Sequence, residues 1–177
     1  MTTFDYNSIP YGQKSDFVNT VVEIPMGSST KVEWDRRKGY FVLDRVEPGI
    51  FAKPCNYGFI PQTLDDDGDE LDTLIVTDEP LSTGLVLEGA TVIGVLNFED
   101  DGEMDHKVIV VPGDDRHSGN RTHYEQLGED WAKQIEHHFS HYKDLKKPGT
   151  TKVLGFGGPD EAWAVIDECL ARAQNSQ

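Results

Sequence analysis

The 177 residues carry only two cysteines, Cys55 and Cys169, and these have neither metal-ligand nor redox spacing. So sparse a complement argues for a reducing compartment rather than a disulfide framework, with both thiols read as small buried hydrophobes. Positive charge is scarce too: 16 Lys and Arg stand against 32 Asp and Glu, a net charge of −16. That balance argues against nucleic acid or an anionic membrane surface as a partner. No apolar run approaches membrane-spanning length, and Met1 to Ser15 lacks the apolar segment of a signal peptide, so a cytoplasmic protein is expected. Internal repeats, linkers and low-complexity segments are missing. The length suits one domain, residues 1–177, able to bury a core without disulfide or metal staples.

Carboxylate is what the chain has in excess, most densely at Leu64-Asp65-Asp66-Asp67-Gly68-Asp69-Glu70-Leu71-Asp72, where six acids fall within eight residues. Neighbouring carboxylates raise one another's pKa unless cations sit among them. In extended backbone Asp65, Asp67 and Asp69 share one face, and a turn at Gly68 brings Asp72 round to join them. Such a cage of oxygens suits magnesium or calcium, and magnesium commonly keeps open positions for substrate phosphates. The alternative is a solvated Asp/Gly turn between apolar runs. A calcium helix-loop-helix fails on spacing: with Gly68 at loop position six, Thr63 and Leu74 would stand where acids are required. The flanks, Tyr57-Gly58-Phe59-Ile60 and Leu74-Ile75-Val76, read as strands.

Before that stretch, Val21-Val22-Glu23-Ile24 is a strand whose Glu23 faces either inward or solvent. Lys31-Val32-Glu33-Trp34-Asp35 follows in period two, Arg36-Arg37-Lys38-Gly39 turns a hairpin, and Tyr40 to Arg45 returns. Gly27 to Lys31 is not a P-loop, lacking both the glycine before the lysine and the hydroxyl residue after it. Thr83 to Gly89 reads as a connector, then Ala90 to Phe98 as a strand. A second acidic group, Glu99 to Asp105, runs through His106-Lys107 into the strand Val108-Ile109-Val110-Val111. It either brings Asp100 and Asp105 to the same metals as Asp67 and Asp72 or is another solvated hairpin turn.

From Leu127 the period changes to three or four: Leu127, Trp131, Ile135, Phe139 and Tyr142 make an amphipathic helix ending near Asp144-Leu145. It carries His137, His138 and His141, but His138 stands where the zinc-protease motif needs glutamate, which leaves a solvated or packed helix face. A last helix runs from Pro159 to about Ala173 and packs Trp163, Ile166, Cys169 and Leu170 on the sheet. Five or more short strands followed by two helices give an α+β domain with a small closed barrel.

Lys31, Arg45, Tyr57, Lys107, Tyr142 and Lys143 supply cations and phenols of the kind that bind phosphate oxygens. With a carboxylate metal cage they suggest phosphoryl transfer to water. The chain closely resembles the family I soluble inorganic pyrophosphatases. The match is carried by Glu23-Ile24-Pro25, Lys31-Val32-Glu33, Asp44-Arg45, Pro54 to Pro61, Asp67-Gly68-Asp69-Glu70-Leu71-Asp72, Asp100 with Asp105 and Lys107, and His141 to Leu145. The Asp-Gly-Asp-x-x-Asp element is its most specific part.

The resemblance implies a five-stranded barrel of OB type with two flanking helices, magnesium dependence with manganese or another divalent ion as substitute, and hydrolysis of pyrophosphate to two phosphates. It also implies the short bacterial type, a homohexamer. By matching position, Asp67, Asp72 and Asp105 hold the first metal, Asp72 is shared with a second, and Asp69 orients or deprotonates the water between them. Asp100, with Asp105 and Glu23, serves ions arriving with the substrate. Lys31, Arg45, Lys107, Tyr142 and Lys143 bind the phosphoryl groups, Tyr57 lies nearby, and Glu33 supports the site. Two positions depart from the pattern: Lys53 stands where many relatives have tyrosine, and Glu70 where proline is common. The first is expected to alter phosphate affinity and the second to loosen the loop. A non-catalytic OB-type binding module fits poorly, since such modules favour basic grooves. A hydrolase of organic phosphates is the other alternative, separable by comparing nucleotides with pyrophosphate as substrates.

Overall fold

The computed structural model describes residues 4–176. Its strands are β1 (Gly12–Gln13), β2 (Phe17–Ile24), β3 (Thr30–Asp35), β4 (Tyr40–Val46), β5 (Asn56–Phe59), β6 (Asp72–Ile75), β7 (Val86–Asp100), β8 (Glu103–Met104), β9 (Lys107–Pro112) and β10 (Thr151–Gly157). Helix α1 (Glu129–His141) lies between β9 and β10, and α2 (Pro159–Asn175) closes the order. Five strands make a ring: β2 pairs β5, β5 pairs β6, β6 pairs β9, β9 pairs β7, and β7 returns to β2. Only the β6–β9 step of this ring is parallel. The hairpin β3–β4 forms a separate two-stranded sheet. This is the expected α+β architecture, an OB-like ring of five strands with two helices. No helix among the described residues is long and apolar enough to cross a membrane.

The apolar runs of the sequence become strands buried on both faces, which is why they show no polar alternation. In β9, Val108 and Val110 join Val92 and Val95 of β7 against Ala162, Val165 and Ile166 of α2. The intervening Ile109 and Val111 join Ile93 and Leu96 against Ile135 and Phe139 of α1. Each fully buried side chain of this size contributes roughly 1.5–3 kcal/mol. Cys55 and Cys169 are free and buried, as read from the sequence. A third cluster of Val21, Trp34 and Phe59, with Tyr6 and Phe41 against it, seats the β3–β4 hairpin on the ring.

Several elements differ from expectation: the two-residue β1 and β8 were not anticipated, α1 stops at His141 rather than near Asp144-Leu145, and two longer strands depart as well. β7 begins at Val86, inside the stretch read as a connector, because Val86 and Leu87 find partners in Val21 and Thr20 across the ring. β10 was not foreseen: Gly155 and Gly157 interrupt its apolar pattern, and the strand is recruited by the far half of β7, where Phe156 pairs Leu96.

Gly58 marks the tightest approach in the ring. It pairs Val22 on one side and Thr73 on the other, and a Cβ there would collide with the Val21 carbonyl oxygen. Gly58→Ala is therefore expected to lower the melting temperature by roughly 4–10 °C, the overpacking cost spread over a chain of this size. An unchanged melting curve would contradict the described β2–β5 contact.

Candidate active site

The ring and hairpin deliver the acidic and cationic residues to one end. Glu23 is the penultimate residue of β2, β3 carries Lys31 and Glu33, β4 carries Arg45, and β5 carries Tyr57. The loop from β5 to β6 holds Asp67 and Asp69, Asp72 opens β6, Asp100 ends β7, Asp105 precedes β9, and Tyr142 and Lys143 follow α1. These twelve residues line one cavity of about 190 Å³. At ~30 Å³ per water the space holds about six waters, enough for a small anion with its ions. Lys107 opens β9 directly opposite Asp72 but does not line the wall. Its ammonium lies beneath, 1% exposed, 2.6 Å from Asp72 Oδ2 and in contact with Asp105.

Charge in the cavity is unbalanced. Burial, and then the Asp72 carboxylate, push Glu23 well above the usual carboxylate range, although its Oε1 accepts from the Trp34 backbone N–H at 2.7 Å. Asp67 is pushed up to about 6, first by burial, with Asp105 and Asp69 adding to it against a hydrogen bond from the Asp69 N–H. Asp69 is raised by burial and by Glu33. Burial raises Asp72 too, with Asp105 adding to it and Lys107 opposing. Lys107 is held firmly charged by Asp105 and Asp72 despite its burial. Burial keeps the phenols of Tyr57 and Tyr142 protonated, so they are donors: Tyr57 to Asp72, and Tyr142 to Asp100 Oδ2 at 3.4 Å.

On the outer wall the cations are already paired. Lys31 contacts Glu33 and lies 3.8 Å from Asp44. Arg45, its cross-strand partner, donates to Asp44 at 2.6 Å and contacts Glu47. Lys143 contacts Asp100 through Oδ2, while the buried Asp100 Oδ1 has no partner among the described residues.

These features fit a divalent cation. The available donors are hard oxygens, four carboxyls are driven toward their neutral form by burial and by neighbouring carboxylates, and one buried carboxylate oxygen has no partner among the described residues. Among the described residues no three His, Cys, Asp or Glu side chains already converge as ligands; the Lys107 ammonium separates Asp72 from Asp105.

Two sequence expectations are corrected. Asp65 does not share a face with Asp67 and Asp69, because residues 65–69 form a turn closed by Asp65 N–H to Asp69 O at 2.8 Å. Asp65 instead points inward, accepting from the His106 backbone at 2.9 Å and lying 3.6 Å from Arg172 of α2. Burial would raise it, but the His106 ring and the backbone donors hold its pKa below the usual value. Glu70 does not loosen the loop: it is buried, accepts from Asn7 at 2.8 Å and pairs with Arg36 at 3.3 Å. Lys107, expected among phosphate-binding residues, contacts Asp72 and Asp105 from beneath the cavity. The histidines of α1 divide: His138 is buried against Tyr142, while His141 bonds Asp144 at 2.8 Å.

An OB-like ring that carries a carboxylate cluster and phosphate-seeking cations in one small cavity defines a class, the hydrolases of phosphoric anhydrides. The sequence model of the inorganic pyrophosphatase family matches residues 20–174. An inorganic pyrophosphatase of Neisseria meningitidis serogroup B is 57% identical over 171 residues, covering 95% of this chain and 96% of that relative. The crystal structure of the Neisseria gonorrhoeae inorganic pyrophosphatase superposes with a TM-score of 0.92 at 55% identity, over 96% of this chain and 99% of the other. That of Thermus thermophilus gives 0.89 at 37% identity, over 97% and 99%. The chain belongs to the inorganic pyrophosphatase family, enzymes that hydrolyse pyrophosphate to phosphate.

The raised carboxyls carry a sign that can be tested. Asp67 titrates higher in the folded chain than its ordinary 3.8, so the fold binds the extra proton and stability falls as pH climbs from about 4 to about 6. At pH 7 that loss is complete. Asp67→Asn, in chelator at pH 7, is expected to raise the melting temperature by roughly 1–3 °C, most of the effect being screened at this exposed rim. A lower melting temperature would mean that the carboxylate is already neutralised within the fold.

Proposed function

We propose that residues 1–177 act as one pyrophosphatase domain in which Asp67, Asp72 and Asp105 hold divalent cations and Asp69 prepares the attacking water. The observation that carries this reading is the concentration of cation-starved carboxyls beside Lys31, Arg45 and Lys143 in one cavity of about 190 Å³. A bound divalent cation supplies Lewis acidity, drawing water toward deprotonation near neutral pH and offsetting the charge of the substrate.

The remaining work falls to the chain. Asp69, its pKa raised by burial and Glu33, is a better base than an ordinary aspartate and takes the proton of the attacking water. As the water oxygen bonds to one phosphorus, the bridging P–O bond breaks and its electron pair leaves with the second phosphate. Lys31, Arg45 and Lys143 exchange carboxylate partners for phosphoryl oxygens, so the cations are presented in fixed directions before substrate arrives. Tyr142 and Tyr57 donate from protonated phenols, and Glu33 steadies Lys31. Lys107 keeps Asp72 and Asp105 oriented from beneath and reaches phosphate only as they turn to cations. Asp100, with its free oxygen, and Glu23 serve ions that enter with the substrate.

Magnesium is the ion this reading favours, since the donors are hard oxygens and the substrate offers phosphate oxygens, with manganese as a substitute. The reading also includes a hexamer of identical chains in the cytoplasm, supported by the likeness to short bacterial relatives. The small cavity favours pyrophosphate over nucleotides.

Phosphate release from pyrophosphate by the purified protein is expected to be rapid with magnesium and abolished by chelator. Asp69→Asn and Asp72→Asn are each expected to lower kcat by about 100-fold or more. Release unaffected by chelator, or a fully active Asp69→Asn protein, would contradict the assignment; faster turnover of nucleotides would move it to organic phosphates.

A further inference from the structure

Lys53 is unlike the other cations on the cavity wall. Lys31, Arg45 and Lys143 each touch a carboxylate, whereas the Lys53 ammonium has no ion-pair or hydrogen-bond acceptor among the described residues. What surrounds it is aromatic: its Nζ lies 4.8 Å from the ring centre of Tyr57, 5.1 Å from Tyr142 and 5.6 Å from Phe139. The backbone is fixed from both sides, its N–H donating to Ser28 O at 2.9 Å and its carbonyl accepting from Gly27 at 2.9 Å. A lysine that only covers apolar surface lets its ammonium run out to water. Here the head group is turned in, over rings contributed by β5 and by α1 with the turn that follows it.

The cage accounts for the direction of the side chain but not for its hydrogen bonds. Ring faces attract a cation but accept no conventional hydrogen bonds, so the half-buried Lys53 turns its N–H donors to the cavity with no protein acceptor among the described residues. Burial, and then the ammonium groups of Lys107 and Lys31, bring its pKa down to about 8, with Asp72 and Cys55 opposing. An anion entering the cavity supplies both the acceptor and the opposite charge that the ammonium lacks. The side from which it can do so is defined, because Lys53 shares a second, smaller cleft with Lys31, Arg45 and Tyr142.

We propose that Lys53 is a further substrate-binding residue, held by Tyr57, Tyr142 and Phe139 so that its ammonium takes a phosphoryl oxygen on the Lys31 and Arg45 side of the cavity. This rests on the reading of the cavity as the pyrophosphate site. It makes Lys53 a determinant of affinity for pyrophosphate and for the phosphate product, and not of the chemical step.

The test uses the full chain with magnesium and compares Lys53→Met, which keeps the length and apolar stem, with Lys53→Arg, which keeps the charge. Calorimetric titration with inorganic phosphate, KM and kcat for pyrophosphate, and the melting temperature are measured on each. Lys53→Met is expected to weaken phosphate binding and raise KM by about tenfold, with a smaller change in kcat and an unchanged melting temperature, and Lys53→Arg to recover most of the loss. Phosphate affinity and KM within about twofold of the unaltered protein in Lys53→Met would overturn the proposal. So would a loss that tracks a fall in melting temperature and is not recovered by arginine; if the methionine protein does not fold, Lys53→Gln is read by the same criteria. Should the unaltered protein release no phosphate from pyrophosphate, the functional reading fails by itself, and the phosphate titration still decides the role of Lys53.

Discussion

The site depends on one buried ammonium. Lys107 opens β9 at the parallel step of the ring, where the register sets it opposite Asp72, and Asp105 lies two residues earlier, so period two points it the same way. A single positive charge, 1% exposed, thus holds two carboxylates while Glu23, Asp67 and Asp69 crowd the same cavity. Removing it would leave buried carboxylates unpaired, a loss of about 3–5 kcal/mol. Keeping it still leaves the cavity short of positive charge, which is the condition under which carboxyls titrate high and divalent ions are taken up. The same contact that stabilises the ring therefore defines what the ring lacks.

The cation-bearing hairpin is mounted differently. Lys31, Glu33 and Arg45 ride on the β3–β4 hairpin, a sheet of its own that reaches the ring through Trp34 and Phe41 packed around Tyr6. Its cations are balanced by Glu33, Asp44 and Glu47 before any substrate arrives. On the proposed reading, an arriving anion would replace carboxylate partners instead of ordering free side chains, which would reduce the entropy lost on binding. Beneath the acidic loop, Asp65 bridges His106 and Arg172, tying the turn at residues 65–69 to the entry of β9 and to α2. The two acidic segments thus reach the cavity as one braced unit.

Much of this was legible in the sequence because the signals were local. The apolar runs flanking the acids, the Arg36 to Gly39 turn and the change of period at Leu127 correspond to β5, β6, the β3–β4 hairpin and α1. All five expected aspartates meet at the cavity, since Asp-Gly-Asp-x-x-Asp and the second acidic turn each lead into a ring strand. What could not be read was set by partners distant in sequence. β10 exists because β7 offers it an edge, and Asp65 leaves the face of Asp67 and Asp69 because a turn, not extended backbone, carries it toward α2. Lys107 falls beneath the wall through the β6–β9 register, and Glu70 gains Asn7 and Arg36 from the chain before it. The aromatic surroundings of Lys53 join residues from β5 and α1 that no spacing rule connects.

The central claim, that the cavity's missing positive charge is supplied by divalent cations held by its aspartates, is tested most directly by anomalous diffraction from crystals of the protein grown with manganese. The account predicts anomalous density in contact with Asp67, Asp72 and Asp105, with the Lys107 ammonium drawn away from at least one of the latter two. Manganese bound only outside the cavity, in crystals of protein that hydrolyses pyrophosphate, would contradict it.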